Sequence, residues 1–230
     1  MHKSLIFMKK VIFSILLSFT LSAAAQQPAD TNERMQALGL VDIQSVDPTI
    51  QVSLALTRPD NITGKVLYTD LQNAYLHPQA ALALKKAQAA LKRLRPDLSL
   101  KVYDAARPMS VQARLYAVVA GTDKNIYISN PKSGGDQHNY GLAVDVTLCD
   151  AETGDSLAMG SRIGSLADES RVGMESHNAE TGKLTSEMAE NRELLRRVMA
   201  IGGFKALRTE WWHFNFRTRS EAKANFKPIK

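Results

Sequence analysis

Apolar positions along this chain fall into two rhythms, one repeating every second residue and one every third or fourth. Val41-Asp42-Ile43 and Ile50-Gln51-Val52-Ser53-Leu54 alternate with the two-residue period and predict short strands. From Pro78 to Leu94 the residues Ala81, Leu84, Ala87, Leu91 and Leu94 follow the helical period, with Lys85, Lys86, Lys92 and Arg93 elsewhere. One amphipathic helix is predicted there, with Pro78 suited to its first turn and Pro96 closing it. A strand over Leu98 to Tyr103 and a helix over Ser110 to Val119 follow, which sets Arg107 at a strand-to-helix junction. In the next predicted strand, Gly141 to Leu148, Leu142, Val144, Val146 and Leu148 share one face and Ala143, Asp145 and Thr147 the other. Asp145 therefore points away from the apolar side. Thr185 to Ile201 reads as a third long helix, capped by Thr185 or Ser186 and stopped by Gly202-Gly203, and Trp211 to Phe216 as the last strand.

The segments between are polar. Asp60-Asn61-Ile62-Thr63-Gly64-Lys65 carries turn formers, residues 121–140 have the composition of a long surface loop able to wall a cleft, and 151–184 read as an irregular excursion, a candidate lid. No internal repeat is present. A length of 230 residues suits one domain plus a processed extension. Residues 1–25 have the layout of a secretory signal: Met8-Lys9-Lys10 as a basic start, Val11 to Leu21 as an apolar stretch, and Ala23-Ala24-Ala25 as a cleavage site. That apolar stretch is shorter than the roughly 20 residues a spanning helix needs. The expectation is export to the periplasm or beyond, with no membrane attachment after cleavage. Residues 26–40 are then expected to be a flexible lead-in, and 41–230 the folded domain.

Losing Lys3, Lys9 and Lys10 with the signal lowers the formal charge from +6 to +3. So mild a balance, with no clustered basic stripe, is no footprint for nucleic acid. Cys149 is the sole cysteine, so it makes no intramolecular disulfide and reads as a small buried apolar residue.

Candidate chemistry gathers in two places, Asp136-Gln137-His138-Asn139-Tyr140-Gly141-Leu142-Ala143-Val144-Asp145 and Thr209-Glu210-Trp211-Trp212-His213. Hydrolytic zinc sites take three ligands from His, Asp or Glu and leave a fourth position open; His138, Asp145 and His213 would supply that set. Singly, each residue has a blander use, as a structural imidazole or a salt-bridge carboxylate. Together with Glu210, three residues before His213 and placed to take a proton from an attacking water and pass it to a leaving amine, they point to hydrolysis. Strand parity adds a condition: positions three apart face opposite ways, so Glu210 must stand at a strand start or a bulge to share the site with His213. Trp211, Trp212, Phe214 and Phe216 are core candidates, one of them a possible cleft wall. Arg107 suits either a helix-start salt bridge or a fixed cation facing a developing oxyanion.

These residues resemble the M15 family of zinc peptidases, and within it the D-alanyl-D-alanine dipeptidases of the vancomycin-resistance type. The pattern His-x-x-Gly-x-Ala-x-Asp is met by His138, Gly141, Ala143 and Asp145, and Glu-x-x-His by Glu210 and His213 in Glu-Trp-Trp-His. Asp60 to Lys65, the Asp-x-x-Arg-Pro ending at Arg107-Pro108, Met159-Gly160-Ser161, and Asn191-Arg192 through Gly203-Phe204 match in family order. The resemblance implies a small α+β domain, an antiparallel sheet with helices packed on one side and zinc in a surface cleft. It implies one Zn2+ per chain on His138, Asp145 and His213, Glu210 as general base, and Arg107 stabilising the transition state. The implied substrates are D-Ala-D-Ala or peptidoglycan stem peptides. Two positions depart from the dipeptidase pattern: Asp136 stands where Ser is usual beside the substrate carboxylate, and Gly164 falls where an acidic residue recognises the free amine, with Asp168 and Glu169 nearby as substitutes. These departures bring in a carboxypeptidase or endopeptidase on longer stem peptides as the alternative activity. A non-catalytic, zinc-stabilised wall-binding module is the non-enzymatic one.

Overall fold

The computed structural model describes residues 31–230, so the secretion signal expected at the N-terminus lies outside the described residues. In chain order the helices are α1 (Thr31–Ala37), α2 (Ile43–Val46), α3 (Pro78–Leu94), α4 (Met109–Val119), α5 (Glu175–Glu180), α6 (Ser186–Gly202) and α7 (Arg219–Asn225). The strands are β1 (Val41–Asp42), β2 (Gln51–Val52), β3 (Tyr75–Leu76), β4 (Leu98–Asp104), β5 (Ala143–Asp150), β6 (Lys205–Leu207) and β7 (Glu210–Asn215). Five strands make one sheet in the order β2-β4-β5-β7-β6, and β1 and β3 pair separately.

The α+β class is as expected, with one refinement: β2 joins β4 in parallel, so the main sheet is antiparallel except at that edge. The long helices fall where their periodicity put them. Helix α3 buries an alanine-rich face of Ala80, Ala83, Leu84, Ala87 and Leu91, and α6 lies beside it. The two approach closely because Gly202 faces α3: a Cβ there would stand 2.7 Å from the Ala83 carbonyl oxygen. Thr185 caps α6 by accepting from the Met188 N–H, and Gly203 ends it in the left-handed region at φ +96°.

Strand β5 runs through the middle of the molecule and is buried on both faces over Ala143–Cys149. Val144, Val146 and Leu148 join the apolar core with Leu100 and Val102 of β4 and Leu195, Val198 and Met199 of α6. Cys149 is fully buried and unpaired, as expected. The opposite face of β5 carries Asp145 and Thr147 and forms the floor of a cleft.

Ile43, expected in a strand with Val41, instead opens α2, which Asp42 caps by accepting from the Gln44 N–H, and three further departures from the expected elements have local causes. The polar segment read as a flexible lead-in contains α1, anchored by buried Met35 and by bonds from Thr31 and Asn32 to Asp70. Strand β6 is too short to show a period. Helix α7 follows Thr218, whose hydroxyl accepts from the Glu221 N–H while the Glu221 carboxylate accepts from the Thr218 N–H. Among the described residues no helix is long and apolar enough to cross a membrane.

Candidate active site

The sheet register builds the centre of the site. Asp104, Asp145 and His213 are cross-strand partners on β4, β5 and β7, in one row across three neighbouring strands. A register shift between Val102 and Asp104 brings Asp104 into that row. His138 comes from the 3-10 turn Gln137–Tyr140 just before β5. Asp136 caps that turn, its Oδ1 accepting from the His138 N–H at 3.0 Å, and Gly141 ends it at φ +66°. Only glycine fits there: besides the left-handed backbone, a Cβ would stand 2.8 Å from Leu40 Cδ2 and 3.1 Å from the His77 nitrogen.

Three ligand atoms converge. His138 Nε2 lies 3.2 Å from Asp145 Oδ1 and 3.1 Å from His213 Nδ1, and the last two are 3.1 Å apart. The outer nitrogens decide what this triangle can hold. His138 Nδ1 is 2.7 Å from the Ala105 carbonyl, which only accepts, so that nitrogen carries the proton. His213 Nε2 donates likewise to Asn215 Oδ1 at 2.9 Å. With both rings neutral, two bare nitrogen lone pairs and a carboxylate oxygen face one another in a buried site. Acceptors so arranged repel unless a cation sits among them. Tetrahedral sites with metal–nitrogen bonds of about 2.0–2.1 Å set their ligands about 3.3–3.4 Å apart, close to these edges. The donor set and its outward hydrogen bonds fit a metal ion. Without one, burial disfavours a charged His213, but Asp145 offsets this and lifts the ring to about 9. Burial would likewise raise Asp145, yet His138 and His213 hold it well below the usual carboxylate range.

Glu210 meets the parity condition in both ways. It opens β7, and the pairing with β6 shifts there, from Ala206 opposite Phe214 to Leu207 opposite Glu210. Its Oε2 lies 3.9 Å from His213 Nδ1. Burial pushes its carboxyl up to about 7, with His213 opposing and Asp145 and Asp136 adding.

Arg107 is a fixed cation at the edge of the triangle and an ion-pair partner at once. Asp104 Oδ2 accepts from its Nε at 2.8 Å and lies 2.7 Å from Nη2, while Nη1 donates to Gln112 Oε1 at 2.8 Å. Nη2 reaches within 3.7 Å of Asp145 Oδ2 and Nη1 within 3.5 Å of Asp136 Oδ2. Desolvation disfavours the buried guanidinium, but Asp104, Asp136 and Asp145 raise its pKa well above the ordinary value. Two braces were not visible in the sequence. Tyr68 donates to Asp104 Oδ1 at 2.8 Å, and Gln112, fully buried, donates to the Ser129 carbonyl at 2.8 Å.

The walls of the cleft, about 810 Å³ in volume, are irregular segments. Asp60, Asn61 and Ile62 stand on one side, residues 126–129 on another, and 160–167 with Glu169 on a third. Of the four aromatic core candidates, Trp212 is the one that lines the cleft; Trp211 and Phe214 are buried as expected of core, and Phe216 is half-buried. Of the two acidic residues near Gly164, Glu169 lines the cleft and pairs with Lys183 at 3.2 Å. Helix α6 clamps this wall: Asn191 Nδ2 donates to the Ala158 carbonyl at 3.0 Å and Arg192 Nε to the Met159 carbonyl at 2.7 Å.

Residues 36–227 match the M15 peptidase family, described as D-Ala-D-Ala dipeptidase. The chain is 33% identical to a D-alanyl-D-alanine dipeptidase of Escherichia coli K12 over 175 residues, 76% of this chain and 83% of that one. It is 29% identical to the enzyme of that name from Enterococcus faecalis V583 over 174 residues, 67% of this chain and 80% of the other. With one from Enterococcus faecium it shares 36% identity over 94 residues, 40% and 43% of the two chains.

Proposed function

Because the chain belongs to the M15 peptidase family and is a metallopeptidase, we propose that it is a zinc-dependent D-alanyl-D-alanine dipeptidase, exported to the periplasm, with Glu210 as its base. The observation that carries the reading is the triangle of acceptor atoms with both ring protons turned outward and a buried carboxylate beside it. His138, Asp145 and His213 would hold the metal. When bound, zinc would supply Lewis acidity toward the peptide carbonyl and acidify a water. Glu210 then takes a proton from the attacking water and delivers it to the nitrogen of the leaving D-alanine. A carboxyl raised toward neutrality suits a group that must both accept and return a proton. Arg107, locked on Asp104 and Gln112, keeps two N–H groups, one near Asp136 and one near Asp145, and is the cation that would meet the charge gained by the carbonyl oxygen. Asp145 lies within its reach, so the cation also steadies a ligand.

A module that only binds wall peptides has no use for a buried Glu210 at the edge of the triangle, where its desolvation is unfavourable. The deciding experiment is mass-spectrometric product analysis of D-Ala-D-Ala incubated with the zinc-loaded protein, with and without a chelator. Free D-alanine that disappears on chelation supports the reading; an unchanged dipeptide overturns it.

A further inference from the structure

Beyond α7 the chain runs through Phe226-Lys227-Pro228-Ile229-Lys230. Proline cannot continue a helix and biases the residue before it to extended backbone, and Phe226, which caps α7, is already extended at φ −130° and ψ 149°. Two apolar residues pin this segment down. Phe226 packs against Tyr140 and Leu142, with its ring at right angles to His77 and the centroids 4.9 Å apart. Ile229 is 4% exposed and belongs to the main core, whereas Lys227 and Lys230 stay in solvent. Arg34 of α1 donates to the Lys230 carbonyl and holds the far side.

Ile229 enters a seam between the two segments that carry the metal ligand and the cation. Its N–H donates to the Asn139 carbonyl at 2.8 Å, and its carbonyl accepts from the Met109 N–H at 2.7 Å. Asn139 directly follows His138, and Met109 stands two residues after Arg107. The same segments are also stitched directly. The Arg107 N–H donates to the His138 carbonyl at 3.0 Å, Asn139 Nδ2 to the Arg107 carbonyl at 2.8 Å, and His138 Nδ1 to the Ala105 carbonyl at 2.7 Å. Ala105, Ala106, His138 and Asn139 are each at most 2% exposed, so water does not compete for these bonds. Asp104 and Gln112 grip the guanidinium, but the seam fixes the backbone from which it extends.

We infer that Ile229 is a positioning residue for the reaction: it closes the seam between the His138 turn and the Arg107 junction, and so sets the guanidinium against the metal ligands. It acts through Asn139 and Met109 and lines no wall of the cleft. The inference rests on the proposed role of Arg107 at the carbonyl oxygen. A displacement of about 1 Å in a group that meets the reacting atoms can cost about 100-fold in rate.

The test is hydrolysis of D-Ala-D-Ala by the zinc-loaded full chain carrying Ile229→Ala, which removes the anchor of the segment. The expected result is a kcat lowered by about 10- to 100-fold with zinc content kept and KM within a factor of two or so of wild type. Ile229→Val keeps the anchor and should restore kcat. A residue with a merely structural role would lower the melting temperature and leave kcat of the loaded protein alone, so an unchanged kcat overturns the inference. The route through Arg107 is read by combining the changes. Added to Arg107→Lys, Ile229→Ala should cost no further kcat, because both act on one interaction; losses that multiply overturn the inference. Should Ile229→Ala fail to fold, Asn139→Ser, which withdraws the amide from the Arg107 carbonyl, is judged by the same outcomes. If the wild type cleaves the dipeptide and the variants match it, the inference alone falls. A wild type that leaves the dipeptide intact takes down the dipeptidase reading and the inference with it.

Discussion

His213 Nε2 donates to Asn215 Oδ1 at 2.9 Å, two residues along the same strand, and this bond turns Nδ1 toward Asp145 and His138. Outward partners of metal-binding imidazoles typically contribute about 10–100-fold to metal affinity or activity. Asn215→Ala should therefore weaken zinc binding by about that factor while leaving the far-ultraviolet dichroism unchanged. Competitive titration with a zinc indicator reads the effect; wild-type affinity would show that the bond does not orient the ring.

Glu210→Gln keeps the shape of the side chain and removes its basicity. The expected outcome is full metal content with kcat lowered by about 10²–10⁴-fold. Turnover of the zinc-loaded variant within a factor of two or so of wild type would remove Glu210 from the chemistry.

Metal uptake should release a proton. In the metal-free protein His213 is lifted from 6.5 to about 9, burial opposing and Asp145 prevailing. Its contact with Asp145 stabilises that form fully below about pH 6.5 and is lost as pH rises through about 9. Zinc must displace the same proton, so apparent affinity should climb by up to about tenfold per pH unit between about pH 7 and 9. Calorimetry in buffers of differing ionisation enthalpy counts the proton; a heat of binding independent of buffer contradicts the linkage.

Arg107→Lys preserves the charge and loses the fork. A lysine cannot engage Asp104 through two nitrogens and Gln112 through a third, so its ammonium is not held at the oxyanion position. A fall in kcat of about 10²–10³-fold with KM little changed is expected, and steady-state kinetics separate the two.

Gly141→Ala tests the turn that delivers His138. Left-handed backbone costs about 1–2 kcal/mol for a residue with a Cβ, and the clash with Leu40 and the His77 nitrogen adds to it. The melting temperature should drop and zinc affinity with it; an unchanged melt would mean that the turn relaxes freely.

Much of this site was legible because Asp145, Glu210 and His213 stand on strands, whose two-residue period shows which way a side chain faces. Two-residue alternation over Leu142 to Leu148 was enough to turn Asp145 toward the cleft, and the spacing of Glu210 from His213 required an irregularity that the β6–β7 register shift supplies. The long helices were legible from periodicity, and Gly203 from its position after the last apolar repeat. Helix α7 left a signal, Thr218-Arg219-Ser220-Glu221, of the form that marks a capping box. Tyr68 and Gln112 left none, since their partners lie 36 and 17 residues away and only folding shows that they meet.

Asp104, Asp145 and His213 are fixed by the register of a buried sheet, whereas the surfaces that meet the rest of a substrate belong to irregular segments around 60, 126–129 and 160–169. Reactivity and selectivity are thus inherited through different parts of the chain. A slip in the sheet destroys the first outright, while an exchange in a loop retunes the second at little risk to stability. Such a division lets a lineage explore new peptides by loop variation alone, keeping one hydrolytic engine intact throughout.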